Sequence, residues 1–160
     1  MERSERRILV THVGSLPRPP ALRDLLVRQE RGEHIDEADL GRQVEAAVRR
    51  VVRGQLEAGI DIANDGEQPR IGFSTYIARR MRGFGGESRR PAPRDLADFP
   101  DYAAMLESRR RLAARVSNAP QAVAEVQYAG LDEAAREIDL FLRTVGTTGG
   151  RFAERFMTAA

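Results

Sequence analysis

The chain reads as an α/β protein with parallel strands, and three observations carry that reading. Two apolar, β-branched runs, Ile8-Leu9-Val10 and Ile60-Asp61-Ile62, each lead into a glycine followed by a polar side chain, as a buried parallel strand does where it opens into a loop. A helix-length segment with clear start and stop signals separates them, so the unit is strand, loop, helix, strand, and the two strands are expected to be parallel neighbours. Ser15 and Glu67 then fall just past the carboxyl ends of adjacent strands, the rim on which α/β proteins bind ligands.

Composition bounds the answer. With 160 residues and 41% hydrophobic content the chain can bury a core, and one domain is expected. No apolar run approaches the ~20 residues that cross a bilayer, and the charged start Met1-Glu-Arg-Ser-Glu-Arg-Arg7 is followed by too short an apolar run for a signal peptide, so a cytoplasmic location without membrane contact is expected. Cysteine is absent, which excludes disulfides and removes the thiolate ligands of a soft zinc site. All 26 basic residues are arginine, and 24 acidic residues nearly cancel them to a formal +2. Totals so balanced argue against a nucleic-acid partner. The local runs at Arg79, Arg80 and Arg82, at Arg89 and Arg90, and at Arg109 to Arg111 lie among acidic residues and read as solvated faces.

The elements follow in order. The first strand is expected at about Arg7 to Val13 and stops at Gly14. Pro17, Pro19 and Pro20 then impose a rigid turn before a short helix near Ala21 to Glu30. The next helix carries the fullest signals: Asp36 can cap its start, Ile35 and Leu40 have the spacing of a hydrophobic staple, and Gly59 can close its end. Its inward stripe is Leu40, Val44, Ala47, Val48, Val51 and Leu56, with Arg42, Glu45, Arg49 and Arg53 facing water. A second strand at Ile60 to Asn64 follows. A helix over Ile71 to Met81, with Phe73, Tyr76, Ile77 and Met81 on one side, is expected to end in Gly83-Phe-Gly-Gly. The Arg- and Pro-rich stretch from 84 to 100 reads as an excursion, followed by a helix over Asp101 to Val116 and a β-prone run, Val123 to Tyr128, suited to one arm of an edge hairpin. A further amphipathic helix spans Leu131 to Val145 with Ala134, Ala135, Ile138, Phe141 and Leu142 inward, and Arg151 to Ala160 resembles a third parallel strand.

Chemistry concentrates where the strands end. In Asp65-Gly66-Glu67 the glycine lets the backbone turn, so the carboxylate can bind an ammonium or act as a base, although Asp-Gly is also an ordinary turn dipeptide. Gly14-Ser15 offers N–H groups and a hydroxyl to a carboxylate or phosphate; with no Gly-x-Ser-x-Gly elbow, a nucleophilic serine is rejected. His12 and His34 lack the spacing of a metal pair and read as structural. Asp61 is expected buried beside the rim and Asp65 exposed at it, and Arg18, Arg70 and Arg79 could bind an anionic substrate.

Three phrases go further. Thr11-His-Val-Gly-Ser-Leu-Pro-Arg18, Gln55-Leu-Glu-Ala-Gly-Ile-Asp-Ile-Ala-Asn-Asp-Gly-Glu67, and Tyr76 through Gly83-Phe-Gly together resemble the opening of the catalytic barrel of cobalamin-independent methionine synthase and its short single-barrel homologues. That group includes epoxyalkane:coenzyme M transferases. The resemblance implies a partial TIM-type (β/α)8 barrel, comprising about the first three parallel strands with their helices. It also implies zinc-dependent chemistry in the complete protein, where a zinc-bound thiolate takes a methyl group from methyltetrahydrofolate or attacks an epoxide. Val13, Gly14 and Ser15 match the segment holding the amino-acid end of homocysteine, and Glu67 the carboxylate that binds its ammonium. His12 receives no role, and no catalytic residue or metal ligand is assigned.

The resemblance also sets an expectation of incompleteness. Phe156-Met-Thr-Ala-Ala160 is similar to the family's third barrel strand, before a Ser-Pro-Gly loop that is not in this sequence. A complete barrel takes ~250 residues, and the family's zinc-binding His and Cys positions fall in the missing part. Open strand edges are usually paired or covered, so the expected protein is a truncated product, a fragment or one subunit of a split barrel. Alone it is expected to be inactive, and to need a completing chain or self-association. The alternatives are an epoxyalkane:coenzyme M transferase-like thiol alkyltransferase fragment, a non-catalytic self-associating module, and an unrelated small α/β enzyme using Gly14-Ser15 as a phosphate cradle.

Overall fold

The computed structural model describes residues 4–86, 94–112 and 120–158, without the side chains of 73–75, 77, 95 and 109–112. Helix α1, Pro20–Glu30, starts on proline at its first position, where the missing N–H costs nothing, and buries Leu22 and Leu26 one turn apart. Helix α2, Glu37–Glu57, is capped as its sequence requires: the Asp36 carboxylate accepts from the N–H groups of Ala38 at 2.9 Å and Asp39 at 3.2 Å. Ile35 and Leu40 are both buried in one cluster with Leu22, Leu26 and Ala47, which fixes the angle between α1 and α2. Past its end Gly59 takes a left-handed φ of 74° while Ile60 N–H reaches back to Gln55 O at 2.9 Å.

Three segments run parallel. Strand β1, Ile62–Ala63, lies between residues 10–11 and strand β4, Glu154–Arg155, with Ile62 opposite Glu154 and Thr11 bridging Ile62. The expected first strand over Arg7 to Val13 shrinks to that single bridge: Val10 O accepts from the N–H groups of Asp61 at 2.9 Å and Ile62 at 3.2 Å, and side chains take other main-chain groups that a longer ladder would use. Val10 N–H donates to the Asp61 carboxylate at 2.9 Å, and Thr11 Oγ1 donates to Ile62 O at 2.8 Å. A second core cluster of Val48, Val52, Ala63, Phe141 and Val145 joins α2 and helix α6, Leu131–Thr147, to these strands, and half-buried Val44 touches both clusters. On α2 the stripe is centred on Val48, Val52 and Gln55 rather than Val51 and Leu56, which are only half-buried.

The middle of the chain departs from expectation. Helix α3, Phe73–Arg80, stops before Met81, which begins strand β2, Met81–Gly85; Gly83-Phe-Gly therefore belongs to a strand and not to a helix stop. Helices α4, Asp95–Asp98, and α5, Pro100–Leu112, follow, then strand β3, Gln121–Tyr128, which pairs antiparallel with β2. The β-prone run is thus one arm of a ribbon, though its partner lies before the excursion. Pairing shifts between Arg82 and Phe84: Gly83 alone spans the gap on β2 while Val123 to Val126 bow out on β3. Gly83 sits at φ 90°, and a β-carbon there would collide with the Glu125 carbonyl. Residues 87–93 of the Arg- and Pro-rich excursion, with Arg89 and Arg90, lie outside the described residues, as do residues 113–116 of the helix expected to Val116.

Two side-chain expectations are corrected. On α6 only Phe141 of the named stripe is buried; Ala135, Ile138 and Leu142 are exposed because the helix meets α2 through Phe141, Thr144 and Val145. Arg80, read as part of a solvated run, is 2% exposed, and its guanidinium donates to Glu137 on α6 at 2.7 Å.

Candidate functional site

The segment from Asn64 to Arg70, just past β1, is buried throughout although four of its seven residues, Asn64, Asp65, Glu67 and Arg70, carry strongly polar groups, and Gln68 adds another amide. Such burial is tolerated where partners satisfy the groups, and here most are satisfied, with buried Gln68 Oε1 and Arg70 Nε left without a hydrogen bond. Gln55 of α2 holds the Asn64 backbone in both directions, accepting from its N–H at 3.0 Å and donating to its carbonyl at 2.8 Å. The Asn64 side chain caps Gly66 N–H at 2.8 Å and donates to His12 O, tying the loop to the first segment. Gln68 donates to Leu16 O at 2.9 Å, and Leu16 N–H donates to Gly66 O at 3.0 Å. Gly66 has φ 60°, and a β-carbon there would stand 2.8 Å from Val51 Cγ1, so the close approach of loop to α2 requires glycine.

This lattice presents Glu67. Its own φ is 54°, the left-handed region that side chains rarely occupy, and its N–H is held by the Asp65 carboxylate at 3.0 Å. The Glu67 carboxylate accepts from Ser15 Oγ at 2.5 Å, so the two residues singled out at the ends of neighbouring strands meet. Glu67 is 6% exposed, while Ser15 and Val13 are open to solvent and Gly14 turns the chain at φ 95°. The rim therefore offers a buried carboxylate oxygen beside an exposed loop of N–H groups, suited to an ammonium next to a carboxylate.

The arginines do other work than expected. Arg70, with its side chain 2% exposed, donates to Asp65 Oδ2 at 2.7 Å and to Thr158 O at 2.9 Å, linking the β1 loop to the end of β4. Asp65 is accordingly buried in an ion pair, not exposed at the rim. Asp61 lies at the other end of β1, where Arg7 grips both its oxygens and, with Val10 N–H, holds its carboxyl down at about 2. Arg79 spans Gln29 of α1 and Glu133 of α6. Arg18 turns inward against the carbonyls of Glu67, at 2.7 Å, and Arg70, and burial pulls its guanidinium below the ordinary arginine range. His34 is exposed, and His12 keeps a buried Nδ1 without a hydrogen bond.

Beyond Arg70 on the same rim is a cavity of about 230 Å³ walled by Tyr76, Arg80, Met81, Tyr128, Ile138 and Met157 among others. Arg70 and Arg80 both lie over the Tyr76 ring, 5.0 Å and 4.2 Å from its centre, and its hydroxyl donates to Glu137 at 2.8 Å. Burial and the Glu137 carboxylate push the phenol up to about 12. Gln55, Asn64, Arg80 and Glu137 escaped the sequence reading. For Gln55 a signal existed, since it continues the four- and three-residue spacing of Val48 and Val52.

A zinc site does not fit these residues. Cysteine is absent, and among the described residues no group of three or more His, Asp or Glu is placed to hold a metal. Nor is any described helix long and apolar enough to cross a membrane.

The residues of this rim fall within the part of the chain that is similar to known proteins. The catalytic-domain model of the cobalamin-independent synthases matches residues 8–90, which include both strand-end loops. A methionine synthase of Sulfolobus acidocaldarius is 40% identical over 74 residues, 46% of this chain and 22% of that protein. A 5-methyltetrahydropteroyltriglutamate–homocysteine methyltransferase of Synechococcus is 31% identical over 74 residues, covering 46% of this chain and 10% of that protein. The namesake from Shewanella oneidensis is 33% identical over 75 residues, with 47% and 10% covered. The matched part of the chain thus spans about a fifth of the first relative and a tenth of the other two. Since the family model takes in more than half of its residues, the chain belongs to the family of the cobalamin-independent synthase catalytic domain.

Proposed function

We propose that this chain is the amino-terminal part of a TIM-type barrel that transfers a methyl group to a thiol, resembling 5-methyltetrahydropteroyltriglutamate–homocysteine methyltransferase, and that it is inactive alone. Val13, Gly14 and Ser15 hold the carboxylate end of an amino-acid thiol such as homocysteine, and Glu67 takes its ammonium. The observation that carries the reading is the 2.5 Å hydrogen bond between Ser15 and Glu67, which brings the two recognition groups to one point past the ends of parallel segments. The cavity beyond Arg70 leaves room on that rim for a donor, methyltetrahydrofolate in this reading. Zinc, expected for complete family members, has to be held by residues other than those described in this chain.

Titration calorimetry with L-homocysteine tests the proposal. Binding by the native chain that weakens roughly ten- to hundredfold in Glu67→Gln supports it, that being the worth of a hydrogen bond to a charged group. Binding that is absent, or indifferent to Glu67→Gln, overturns it.

A completing partner is the second part of the reading. Leu131, Ile138 and Leu142 fall on one stripe of α6 and are 73%, 47% and 41% exposed, and β4 is the last strand described in its sheet. A further strand and helix, from another polypeptide or a second copy, would cover both. Sedimentation of the purified chain distinguishes a self-associating module from a monomer awaiting a different chain.

A further inference from the structure

We propose that Arg18 is a positioning residue that holds Glu67 in its left-handed backbone conformation and thereby aims its carboxylate at the rim. The inference rests on the reading of Glu67 as the ammonium-binding group only for its functional consequence; the clamp itself stands on geometry.

Two overlapping turns run through residues 65 to 70: Gln68 N–H donates to Asp65 O at 3.4 Å across Gly66 and Glu67, and Arg70 N–H donates to Glu67 O at 3.3 Å, both long and weak bonds. A side-chain-bearing residue at φ 54° costs about 1–2 kcal/mol in such a turn, so something must outweigh the relaxed alternative. Arg18 is placed to do so. Pro17 and Pro19 stiffen the chain on either side of it, and one terminal nitrogen of its guanidinium donates both to Glu67 O at 2.7 Å and to Arg70 O, the two ends of the second turn, which starts at the carbonyl of Glu67 itself. The same nitrogen lies 3.5 Å from Ser15 Oγ. The Ser15 loop thus carries its own tie to the Glu67 turn. These are charge-assisted bonds to main-chain carbonyls, stronger than the neutral bond that closes the turn. The Arg18 Nε is buried and unpartnered, so the side chain is held for its terminal contacts and not because every donor is satisfied. An anion-binding role leaves the pointing of this nitrogen at two carbonyls unexplained.

The test compares Glu67→Gly with Glu67→Ala by urea denaturation of the full chain, with Arg18 present and with Arg18→Met. With Arg18 in place, glycine should exceed alanine on the order of tenfold in folding equilibrium constant, the ordinary advantage at a left-handed site. In Arg18→Met the turn is free to relax, and that advantage should fall to within about twofold. An advantage that survives undiminished overturns the clamp. If Arg18→Met does not fold, Arg18→Lys carries the same comparison: a reduced glycine advantage supports the proposal and an unchanged one sinks it. Carbon-13 shifts of Glu67 Cα, which move with the sign of φ, give a second readout in Arg18→Lys. Homocysteine titration separates the two layers: loss of the left-handed signature without any binding in the native chain keeps the clamp and discards the ammonium role.

Discussion

Ser15 and Glu67, 52 residues apart in sequence, share a hydrogen bond of 2.5 Å at the carboxyl ends of two neighbouring parallel segments. The hydroxyl satisfies a carboxylate oxygen that would otherwise carry the desolvation cost of burial. Ser15→Ala should therefore cost about 1 kcal/mol of stability in urea denaturation, and less in a Glu67→Gln background, where the remaining partner is neutral. A Ser15→Ala effect that is the same in both backgrounds would mean that the hydroxyl stabilises the loop by another route.

The Arg70–Asp65 pair makes a larger demand. Both side chains are 2% exposed, so removing one leaves the other as a buried uncompensated charge. Asp65→Ala or Arg70→Met alone should lower stability by about 3–5 kcal/mol. The double variant should recover a good part of that loss, because no lone charge remains. Full additivity in the cycle would mean that the two groups do not sense each other.

Legibility in the sequence followed the range of the interaction. Helix α2 could be read because Asp36, Ile35, Leu40 and Gly59 act within a turn or two of the backbone they control. The meeting of Ser15 and Glu67 could be read because parallel pairing across one crossover puts both strand ends on the same rim. The short first strand was hidden: Asp61 and Thr11 compete for main-chain groups that the hydrophobic pattern assigns to a ladder. Arg80 looked like part of a solvated run because Glu137, which makes its burial possible, lies 57 residues further on. Gly83 has the look of a helix stop, and only its approach to Glu125 in a strand beyond the excursion reveals it as a bulge.

Acid should weaken the fold through the Arg7–Asp61 pair. Folding depresses the Asp61 carboxyl from 3.8 to about 2, so its contribution is complete above the ordinary value and is lost as pH falls through the folded one. The urea midpoint should fall between pH 4 and pH 2, and this part of the fall should vanish in Asp61→Asn. An unchanged acid profile in that variant would show that other carboxylates govern it.

Alkali should reach the Tyr76 phenol late. Its hydroxyl donates to Glu137, and Arg70 and Arg80 both lie over its ring. Burial, and next the Glu137 carboxylate, raise the phenol from 10.0 to about 12, so the protonated form is favoured by folding. Its stabilising contribution is therefore whole below pH 10 and disappears as pH rises through 12. Ultraviolet difference titration should resolve one late phenol that is missing in Tyr76→Phe. In Glu137→Gln the late step should move toward the ordinary range without reaching it, since desolvation, the larger cause, remains. A late step unmoved by Glu137→Gln would place the whole effect in burial and remove the carboxylate from the account.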